Sequence, residues 1–454
     1  MERVVVFGIG YECKRLLEQG LLEHCHVVAF VDSDKARWGE ILKHAGGGVI
    51  IPPIEGLQQN FDKVLITTTV YGEEIRTQLT DTFFVPNEKI CLWWDITQMV
   101  YTKIYERKQA FWLHHKPTIF VPEAVISDRE KPTEDIGLED RIIAAYHKAF
   151  SYSQESGESW WTTGYLWDCK KDIHQGLLSK DQEKVRSVLE DPVGNNLFRG
   201  FDDIVPSDKE MMVRIIYDCI IQVAAYIGIV RMPNPECSEF TSDIWLEDVL
   251  EQIAQYYGFD LKFSNPFSGE LGVQTKRGIL GWRTIQSLYQ AVRIYELLNG
   301  KVREAKILEI GAGLGRTAHF MHQMGNRDYT IIDIPMTNVA QEYFLGKVIG
   351  EECVSFVGEK PVRDIKILPF YMLSDLEKER YDLILNVDSI TEMDETSQKN
   401  YWRYIQAHTS CFLSINHEQN PHTVRELYQA TGAKVYRGIC PIRRGYIEEI
   451  VYFG

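Results

Sequence analysis

The sequence lacks an uninterrupted apolar run that is long enough to cross a bilayer. Its longest apolar stretch, residues 215–230, is interrupted by Asp218 and Gln222, and we predict a core helix there instead. The chain enters a predicted strand at residues 4–7, a start that does not have the pattern of a signal peptide. These absences predict a cytoplasmic protein without a membrane span.

Paired cysteines and an excess of basic residues are absent as well. The nine cysteines are scattered without a C-x-x-C pair, and Cys25, between His24 and His26, does not have zinc spacing. We expect reduced and mostly buried thiols. The net charge of −16 argues against a nucleic-acid backbone as the main partner, because phosphate binding needs excess Lys and Arg.

The 454 residues are too many for one ordinary core, and the pattern of apolar runs divides them into three segments. Residues 1–100 alternate short strands with helices, residues 101–285 are mainly helical, and residues 286–454 alternate strands with helices again. The predicted fold class is therefore α/β, with two Rossmann-like parallel-sheet domains separated by a mainly helical segment.

The first segment begins like a nucleotide-binding unit. Gly8 and Gly10 match the first two glycines of a dinucleotide-binding turn, Cys13 takes the third position, and Asp32 ends the second strand. The segment resembles the small Rossmann-like domains of polysaccharide-biosynthesis proteins. A retained nucleotide site and a structural or dimerising role both stay open, and so does a homo-oligomer. Further strands are predicted at residues 49–51, 63–67 and 90–92.

The middle segment shows apolar residues at helical spacing. A glycine-rich lead at residues 268–283 precedes a helix, and we predict that Trp282 and Arg283 contact the substrate where that helix begins. The tryptophans of this segment are predicted to be core anchors rather than a sugar platform: Trp160, Trp161, Trp167, Trp245 and Trp282. Helices are predicted at residues 140–150, 180–189, 209–228 and 244–257.

The most informative stretch is KILEIGAGLGRTAHFMHQMGNRDYTIID, residues 306–333. A short buried strand leads into Gly311, Gly313 and Gly315, a helix follows, and a second strand ends on Asp333. Glycine allows a tight turn and close approach to a ligand, and the terminal carboxylate can accept both hydroxyls of a ribose. This stretch predicts the first half of a nucleotide-binding βαβ unit.

The glycine pattern narrows the ligand. Arg316 stands where a dinucleotide-binding turn has its third glycine, and Glu309 precedes the first glycine, which gives the form E-x-G-x-G-x-G. This form resembles motif I of the class I methyltransferases, which bind S-adenosylmethionine (SAM). The resemblance implies that the turn cradles the aminocarboxypropyl part of SAM, and that Glu309 orients the turn or the amino group.

The rest of the third segment predicts the order of a sheet. Strands are expected at residues 365–368, 381–387 and 411–415, and two final runs at 433–439 and 446–453 indicate an antiparallel hairpin. A parallel sheet that ends in such a hairpin is the class I methyltransferase arrangement. It supports the SAM interpretation independently of the glycines.

Two further strand ends carry polar residues, where ligands of open α/β sheets lie. The stretches TIIDIPMTNVAQEYFL, NVDSITEM and LSINHE together resemble the sugar O-methyltransferase family. The resemblance implies that a sugar hydroxyl, nucleotide-linked or in a glycan of surface-polysaccharide or secondary-metabolite biosynthesis, accepts the methyl group. Candidate cofactor contacts are completed by Asn386 and Tyr371, and candidate substrate contacts by Asn416 and Glu418.

Methyl transfer to a sugar hydroxyl needs a base at the acceptor oxygen. His417 is the first choice, because it ends a core strand and its ordinary pKa lies near neutrality. Asp388 is the second choice, with Glu392 on the same face if that turn is helical. Alternatively Asp388, Glu392 and Glu418 hold Mg²⁺. A further alternative is that Asp388 and Glu392 hydrogen-bond substrate hydroxyls or cap the helix after the strand.

Two rival functions belong to other classes. A nicotinamide-dependent oxidoreductase would use the first segment, although that segment lacks a third glycine and the helical segment shows no evident dehydrogenase motif. A non-catalytic scaffold with two degenerate nucleotide folds is the second rival. The intact turn from Glu309 to Gly315 argues against it.

Overall fold

The computed structural model describes residues 2–18, 22, 25–42, 48–68, 71–92, 124–126, 136–153, 171–191, 209–230, 245–267, 269–360, 362–420, 422–429 and 431–454. The chain divides into two compact units, Met1–Lys116 and Pro117–Gly454. The second unit contains both the helical segment and the C-terminal sheet, and the predicted boundaries near residues 100 and 285 stay predictions.

The first unit contains a six-stranded sheet in the order β3-β4-β2-β1-β5-β6. All pairs are parallel except β3 with β4, the one departure from the predicted alternation. Cores lie on both faces of the sheet. The strands are β1 Arg3–Phe7, β2 His26–Val31, β3 Ile41–Leu42, β4 Gly48–Ile51, β5 Lys63–Ile66 and β6 Ile90–Leu92, and the helices are Tyr11–Glu18, Pro53–Gly56 and Gly72–Thr77.

The predicted glycine-rich lead of the second unit is a small antiparallel sheet. Its strands β7 (Ala124–Ile126), β8 (Leu271–Thr275) and β9 (Gly278–Leu280) pair in the order β7-β8-β9. Gly281 then caps the helix Trp282–Leu297, which runs towards the large sheet. The sequence pattern predicted the helix but not the strands, because the glycines and polar residues mask the alternation.

An eight-stranded sheet forms the centre of the second unit, in the order β12-β13-β11-β10-β14-β15-β17-β16. Six strands are parallel, and β17 and β16 close the sheet as an antiparallel hairpin. This confirms the predicted class I methyltransferase arrangement. The strands are β10 Ile307–Ile310, β11 Tyr329–Asp333, β12 Val354–Ser355, β13 Ile365–Pro369, β14 Leu383–Val387, β15 Cys411–His417, β16 Lys434–Ile439 and β17 Tyr446–Tyr452.

Helices cover both faces of this sheet. Most of the helices share a first core with the sheet, whereas helix Glu395–His408 packs into a second core on the opposite face. The side chains of β10 alternate between them, so Ile307 lies in the first core and Leu308 in the second. Helices on the first face are Ile136–Ser153, Lys171–Ser179, Gln182–Glu190, Lys209–Tyr226, Leu246–Tyr257, Trp282–Leu297, Arg316–Gln323 and Pro335–Ile349.

The predicted core tryptophans have different outcomes. Trp282 packs partly buried against the first core, whereas Trp245 is 56% exposed at a helix start, so the core prediction is wrong for it. Trp160, Trp161 and Trp167 lie outside the described residues. The described cysteines are free thiols, most of them buried.

In the part of the chain that the structure describes, no helix combines the length and the apolar character needed to span a membrane.

Candidate functional site

The glycine turn lies between β10 and helix Arg316–Gln323, at the carboxyl edge of the sheet. Gly311, Gly313 and Gly315 have φ angles of +72°, +59° and +86°, which side chains disfavour. A Cβ on Gly311 would also collide with Ser389 Oγ and lie 2.5 Å from Ser389 Cβ. Glycine is therefore required at Gly311 for two reasons, the backbone conformation of the turn and the close approach of Ser389.

Asp333 faces this turn from the end of β11. Its Oδ1 accepts a hydrogen bond from Ile334 N at 2.8 Å, and its Oδ2 accepts one from Gln341 Nε2 at 2.8 Å. Burial raises the pKa of its carboxyl to about 7, against the lowering effect of amide donors that include Gly313 and Ala312. The carboxylate and the glycine turn thus come together as the sequence predicted.

Glu309 is buried inside the first core, because it shares a sheet face with Ile307. Tyr329 OH donates to Glu309 Oε2 at 2.8 Å, and burial raises the pKa of the Glu309 carboxyl to about 8. The contact that the structure provides for Glu309 is therefore the neighbouring strand β11. Its predicted role at the amino group of SAM stays a prediction.

Glu309→Gln is expected to change the pH dependence of stability. A carboxyl whose pKa rises from 4.5 to about 8 on folding binds its proton more tightly in the folded state. The free energy of unfolding of the wild type therefore falls as pH increases from about 5 to 8. The variant lacks this pH-dependent loss of stability. Between about pH 5 and 8, we expect the free energy of unfolding of the variant to rise relative to that of the wild type by on the order of 3 kcal/mol.

Urea unfolding of both proteins at pH 5.5, 7 and 8 measures this difference. A lost or strained hydrogen bond to Tyr329 would shift the variant by a constant amount at every pH. Parallel stability profiles would contradict an elevated pKa at Glu309.

Arg316 occupies the position that a dinucleotide-binding turn gives to glycine. Its Nη2 pairs with Glu270 Oε1 at 2.9 Å, and both side chains are almost fully buried. Glu270 immediately precedes β8, so this pair ties the small antiparallel sheet to the first turn of the motif helix. Loss of either partner would leave the other charge buried and uncompensated, which is strongly destabilising.

A buried amide network joins β10, β14 and β15. Asn386 Nδ2 donates to Ile310 O at 2.8 Å and to Ser389 Oγ at 2.6 Å, and Asn386 Oδ1 accepts from Asn416 Nδ2 at 3.1 Å. Asn416 Nδ2 also donates to Ser414 Oγ at 2.8 Å. The structure thus brings Asn386 and Asn416 together, and their amides bond to each other and to other protein groups. Their predicted contacts with cofactor and substrate stay predictions.

Asp388 begins the loop after β14 with a φ of +66°, a conformation that residues other than glycine rarely adopt. Its Oδ2 accepts from Arg443 Nη1 at 2.8 Å, whereas its Oδ1 is buried without a hydrogen-bond partner. The Arg443 guanidinium lies 3.4 Å from the centre of the Tyr446 ring. A strained backbone and an unsatisfied oxygen at one residue indicate a site of function rather than stability.

His417 ends β15 directly opposite Tyr446 at the start of β17. The two rings meet edge to face with centroids 5.4 Å apart, and His417 Nδ1 is buried without a hydrogen-bond partner. Glu392 lies on the same loop as Asp388, and its pKa is raised to about 7 by partial desolvation and by the charge of Asp388. His417, Asp388 and Glu392 therefore gather at one edge of the sheet.

Two predicted contacts, Glu418 and Tyr371, bond to other elements, and a third, Arg283, contacts its neighbour Trp282 while its charge also acts on the Tyr446 hydroxyl. Glu418 Oε1 pairs with Arg437 Nη2 at 2.5 Å, on β16. Tyr371 OH donates to Ala149 O, in helix Ile136–Ser153, at 2.5 Å. The Arg283 guanidinium stacks 5.0 Å from the centre of the Trp282 ring. The substrate and cofactor roles of these residues stay predictions.

Arg443 and Tyr446 are site residues that the sequence interpretation missed. Both belong to the run Arg443-Arg444-Gly445-Tyr446, which turns from β16 into β17. Because β17 is antiparallel to β15, its first residue lies beside the last residue of β15. Antiparallel pairing of the predicted final hairpin with the strand that ends on His417 would have indicated Arg443 and Tyr446 as site residues.

Two of the three carboxylates predicted for Mg²⁺ are paired with arginines: Asp388 with Arg443 and Glu418 with Arg437. Among the described residues, the group whose ligand atoms lie within 4.8 Å of one another is His322, Cys353 and Asp364. Arg327 Nε already contacts Asp364 Oδ2 at 3.2 Å there, and that positive charge opposes a cation. The Mg²⁺ alternative stays a prediction.

The acid beside the glycine turn of the first unit is engaged by protein groups. Asp32 Oδ2 accepts from Ile9 N at 2.9 Å and pairs with Arg37 Nη1 at 3.1 Å. Cys13, at the third glycine position, is fully buried, and burial raises the pKa of its thiol to about 11. The Asp32 carboxylate, which would bind a ribose in a dinucleotide site, is thus hydrogen-bonded to Ile9 of the turn and paired with Arg37.

Comparison with known protein families gives a match within the first unit of the chain. The family model described as C2185-like, N-terminal, matches residues 1–91. No curated protein matches the chain.

Solved structures align with a part of the chain at low similarity. Magnesium protoporphyrin IX methyltransferase (ChlM) from Synechocystis PCC 6803, with bound SAM, is 15% identical over 37% of this chain and 83% of its own, with a TM-score of 0.27. The glycopeptide N-methyltransferase MtfA, complexed with SAM, is 13% identical over 36% and 87%, with a TM-score of 0.28. Ribosomal protein L11 methylase from Lactobacillus delbrueckii subsp. bulgaricus is 13% identical over 49% and 90%, with a TM-score of 0.27. Similarities of this extent do not bear on the ligand or reaction of this chain.

Proposed function

We propose that this protein is a SAM-dependent O-methyltransferase that acts on a sugar hydroxyl. The observation that carries the proposal is a group of three buried polar atoms without protein partners: Asp388 Oδ1, His417 Nδ1 and Arg443 Nε. They comprise an acceptor, a donor and an imidazole nitrogen that can be either. A polyol both donates and accepts hydrogen bonds, and it therefore matches this mixture better than an apolar or purely anionic acceptor.

The cofactor half of the proposal rests on the turn and its facing acid. Gly311 and Gly313 give the turn backbone conformations that side chains disfavour, and Asp333 ends β11 beside this turn, where a ribose is expected in open α/β sheets. SAM would supply a methyl group activated by a sulfonium. Ser389 touches the turn from the loop that also carries Asp388, so donor and acceptor would meet at one edge of the sheet.

His417 takes the role of base in this proposal. In an in-line displacement the acceptor oxygen bonds to the methyl carbon, the carbon–sulfur bond breaks, and the hydroxyl proton must be removed. Neutral His417 can accept that proton on a ring nitrogen. Asp388 already accepts from Arg443, and its remaining oxygen can position a neighbouring sugar hydroxyl.

Calorimetric titration with SAM and, separately, with NAD(H) tests the proposal, in the presence and absence of Mg²⁺. Saturable one-site SAM binding supports the methyltransferase and justifies a screen of nucleotide-sugars as acceptors. NAD(H) binding without SAM binding would favour the oxidoreductase, with its site in residues 1–100. Binding of neither ligand would favour a scaffold.

Asp333→Ala is expected to weaken SAM binding by about 30-fold without unfolding the protein, because charged hydrogen bonds to ribose hydroxyls are lost. Asp328→Ala is the matched control, since Asp328 lies just before the other end of β11 and pairs with Lys366 at 2.9 Å. Isothermal titration measures both affinities. Wild-type SAM affinity in Asp333→Ala would rule out its ribose role.

A further inference from the structure

Gln341 is fully buried in helix Pro335–Ile349, yet its amide faces the proposed SAM site. Its Nε2 donates to Asp333 Oδ2 at 2.8 Å and to Gly313 O at 2.7 Å. Its Oε1 accepts from Asn338 Nδ2 at 2.9 Å. One side chain therefore connects the glycine turn to the acid that faces it.

The hydrogen-bond partners fix the orientation of this amide. Asp333 Oδ2 and Gly313 O are both acceptors, so only the NH₂ end of Gln341 can face them. Asn338 then occupies the oxygen end as a donor. Rotation of the amide would set oxygen against two acceptors in a buried place, which carries a desolvation and repulsion cost.

Asp333 is in turn held at both oxygens. Ile334 N binds Oδ1 and Gln341 Nε2 binds Oδ2, which prevents rotation of the carboxylate. Each oxygen of a carboxylate can accept a second hydrogen bond. The amides of Ala312 and Gly313 also act on this carboxylate, so Gln341 and the turn together fix its orientation, as recognition of a ribose hydroxyl requires.

We propose that Gln341 is a positioning residue that sets Asp333 against the glycine turn, so that the site selects a ligand with a ribose 2′-hydroxyl. The inference rests on the proposed function, because it concerns the same cofactor. Burying an amide costs free energy unless its hydrogen bonds are made. The three partners of Gln341 are the two elements of the cradle and Asn338, and the packing of a helix on a sheet needs none of them.

The test compares the binding of S-adenosylhomocysteine (SAH) with that of its 2′-deoxy analogue. Gln341→Met keeps the length of the side chain but removes both donors, and Gln341→Glu sets a carboxylate against Asp333. We expect SAH affinity to fall about 10-fold in the first variant and further in the second, as one or two buried hydrogen bonds are lost. The ratio of the affinity for SAH to the affinity for the 2′-deoxy analogue should fall towards one in both variants.

Gln398→Met is the matched control. Gln398 is also a buried glutamine, in helix Glu395–His408, but its amide donates to the backbone oxygen of Met393 at 3.1 Å. A general effect of losing a buried amide would appear in this variant, whereas the 2′-hydroxyl preference should persist in it.

The outcomes separate the two proposals. Wild-type SAH affinity and wild-type 2′-hydroxyl preference in Gln341→Met would overturn the positioning role while the proposed function stands. Reduced affinity with an unchanged preference would also overturn it, since that pattern indicates a structural role. A wild-type protein that binds neither SAM nor SAH would overturn the proposed function, and this inference with it.

Discussion

Replacing His417 with alanine is expected to reduce methyl transfer by about 10²- to 10⁴-fold, the range that a positioned acid–base group contributes. The SAM affinity should stay at the wild-type value, because His417 ends β15, whereas the glycine turn and Asp333 follow β10 and β11. The loss of methyl transfer is expected because His417 Nδ1 is buried, has no hydrogen-bond partner in the protein and lies in the cluster with Asp388 and Tyr446. Turnover with an acceptor sugar and SAM binding are measured on the same preparation.

His322→Ala provides the comparison for this variant. His322 contacts the carboxylate of Asp364 at 3.2 Å, and Asp364 lies immediately before β13, at the opposite edge of the sheet. Its removal should leave turnover unchanged. If His417→Ala retains near-wild-type turnover, the role of base passes to Asp388 or to a metal-bound hydroxyl.

The second large effect is expected at Gly311. Alanine there meets two obstacles: a φ of +72°, which costs about 1–2 kcal/mol for a residue with a Cβ, and the collision with Ser389. Together they should displace the turn and weaken SAM binding by about 100-fold or more. The collision accounts for the larger share, because Ser389 is held by hydrogen bonds to Ile310 and Asn386.

A second substitution separates the two obstacles. Ser389→Gly removes both colliding atoms and leaves the nearest atom, Cα, at 3.9 Å from the added Cβ. Gly311→Ala combined with Ser389→Gly should therefore bind SAM about 10-fold better than Gly311→Ala alone. The single Ser389→Gly variant serves as the reference for the lost hydrogen bonds.

Gly432→Ala isolates the cost of the backbone conformation. Gly432 has a φ of +68°, close to that of Gly311, but a Cβ there meets nothing within 4 Å. This variant should lose about 1 kcal/mol of stability and retain its SAM affinity. Equal SAM binding by Gly311→Ala and the wild type would show that the turn is not a ligand cradle.

The cluster at the carboxyl edge explains why His417 and Asp388 are better tested as a group. Asp388 contacts Arg443, Arg443 stacks on Tyr446, and Tyr446 packs against His417. Residues in one contact network are not additive in their effects. A change at Arg443 would therefore alter both the proposed base and the proposed sugar contact.

Several parts of the molecule follow from local sequence. Short apolar runs separated by helical spacing predict the parallel strands, and the final hairpin follows from two runs joined at residues 441–445. The glycine turn is equally local, since Gly311, Gly313 and Asp333 belong to one βαβ unit of adjacent strands. For this reason the sequence alone predicts both the turn and the acid that faces it.

Other features depend on contacts between residues far apart in the chain. Glu309 appears as a ligand residue in the motif, but the alternation of β10 places it in the core beside Tyr329. Asn386 and Asn416 read as ligand contacts at strand ends, yet they bond to each other across two strands. A polar residue at a strand end can face ligand or protein, and only the neighbouring strand decides which.

The sequence by itself determined the α/β class, the class I methyltransferase order of the sheet and the pairing of glycine turn with acid, because these follow from periodicity and chain direction. Tertiary structure alone decided that Arg443 holds Asp388, that Tyr446 meets His417 and that Gln341 joins Asp333 to the turn. Each of these contacts joins different elements. Side-chain hydrogen bonds and burial depend on distances of a few ångströms between such elements, and local patterns do not encode those distances.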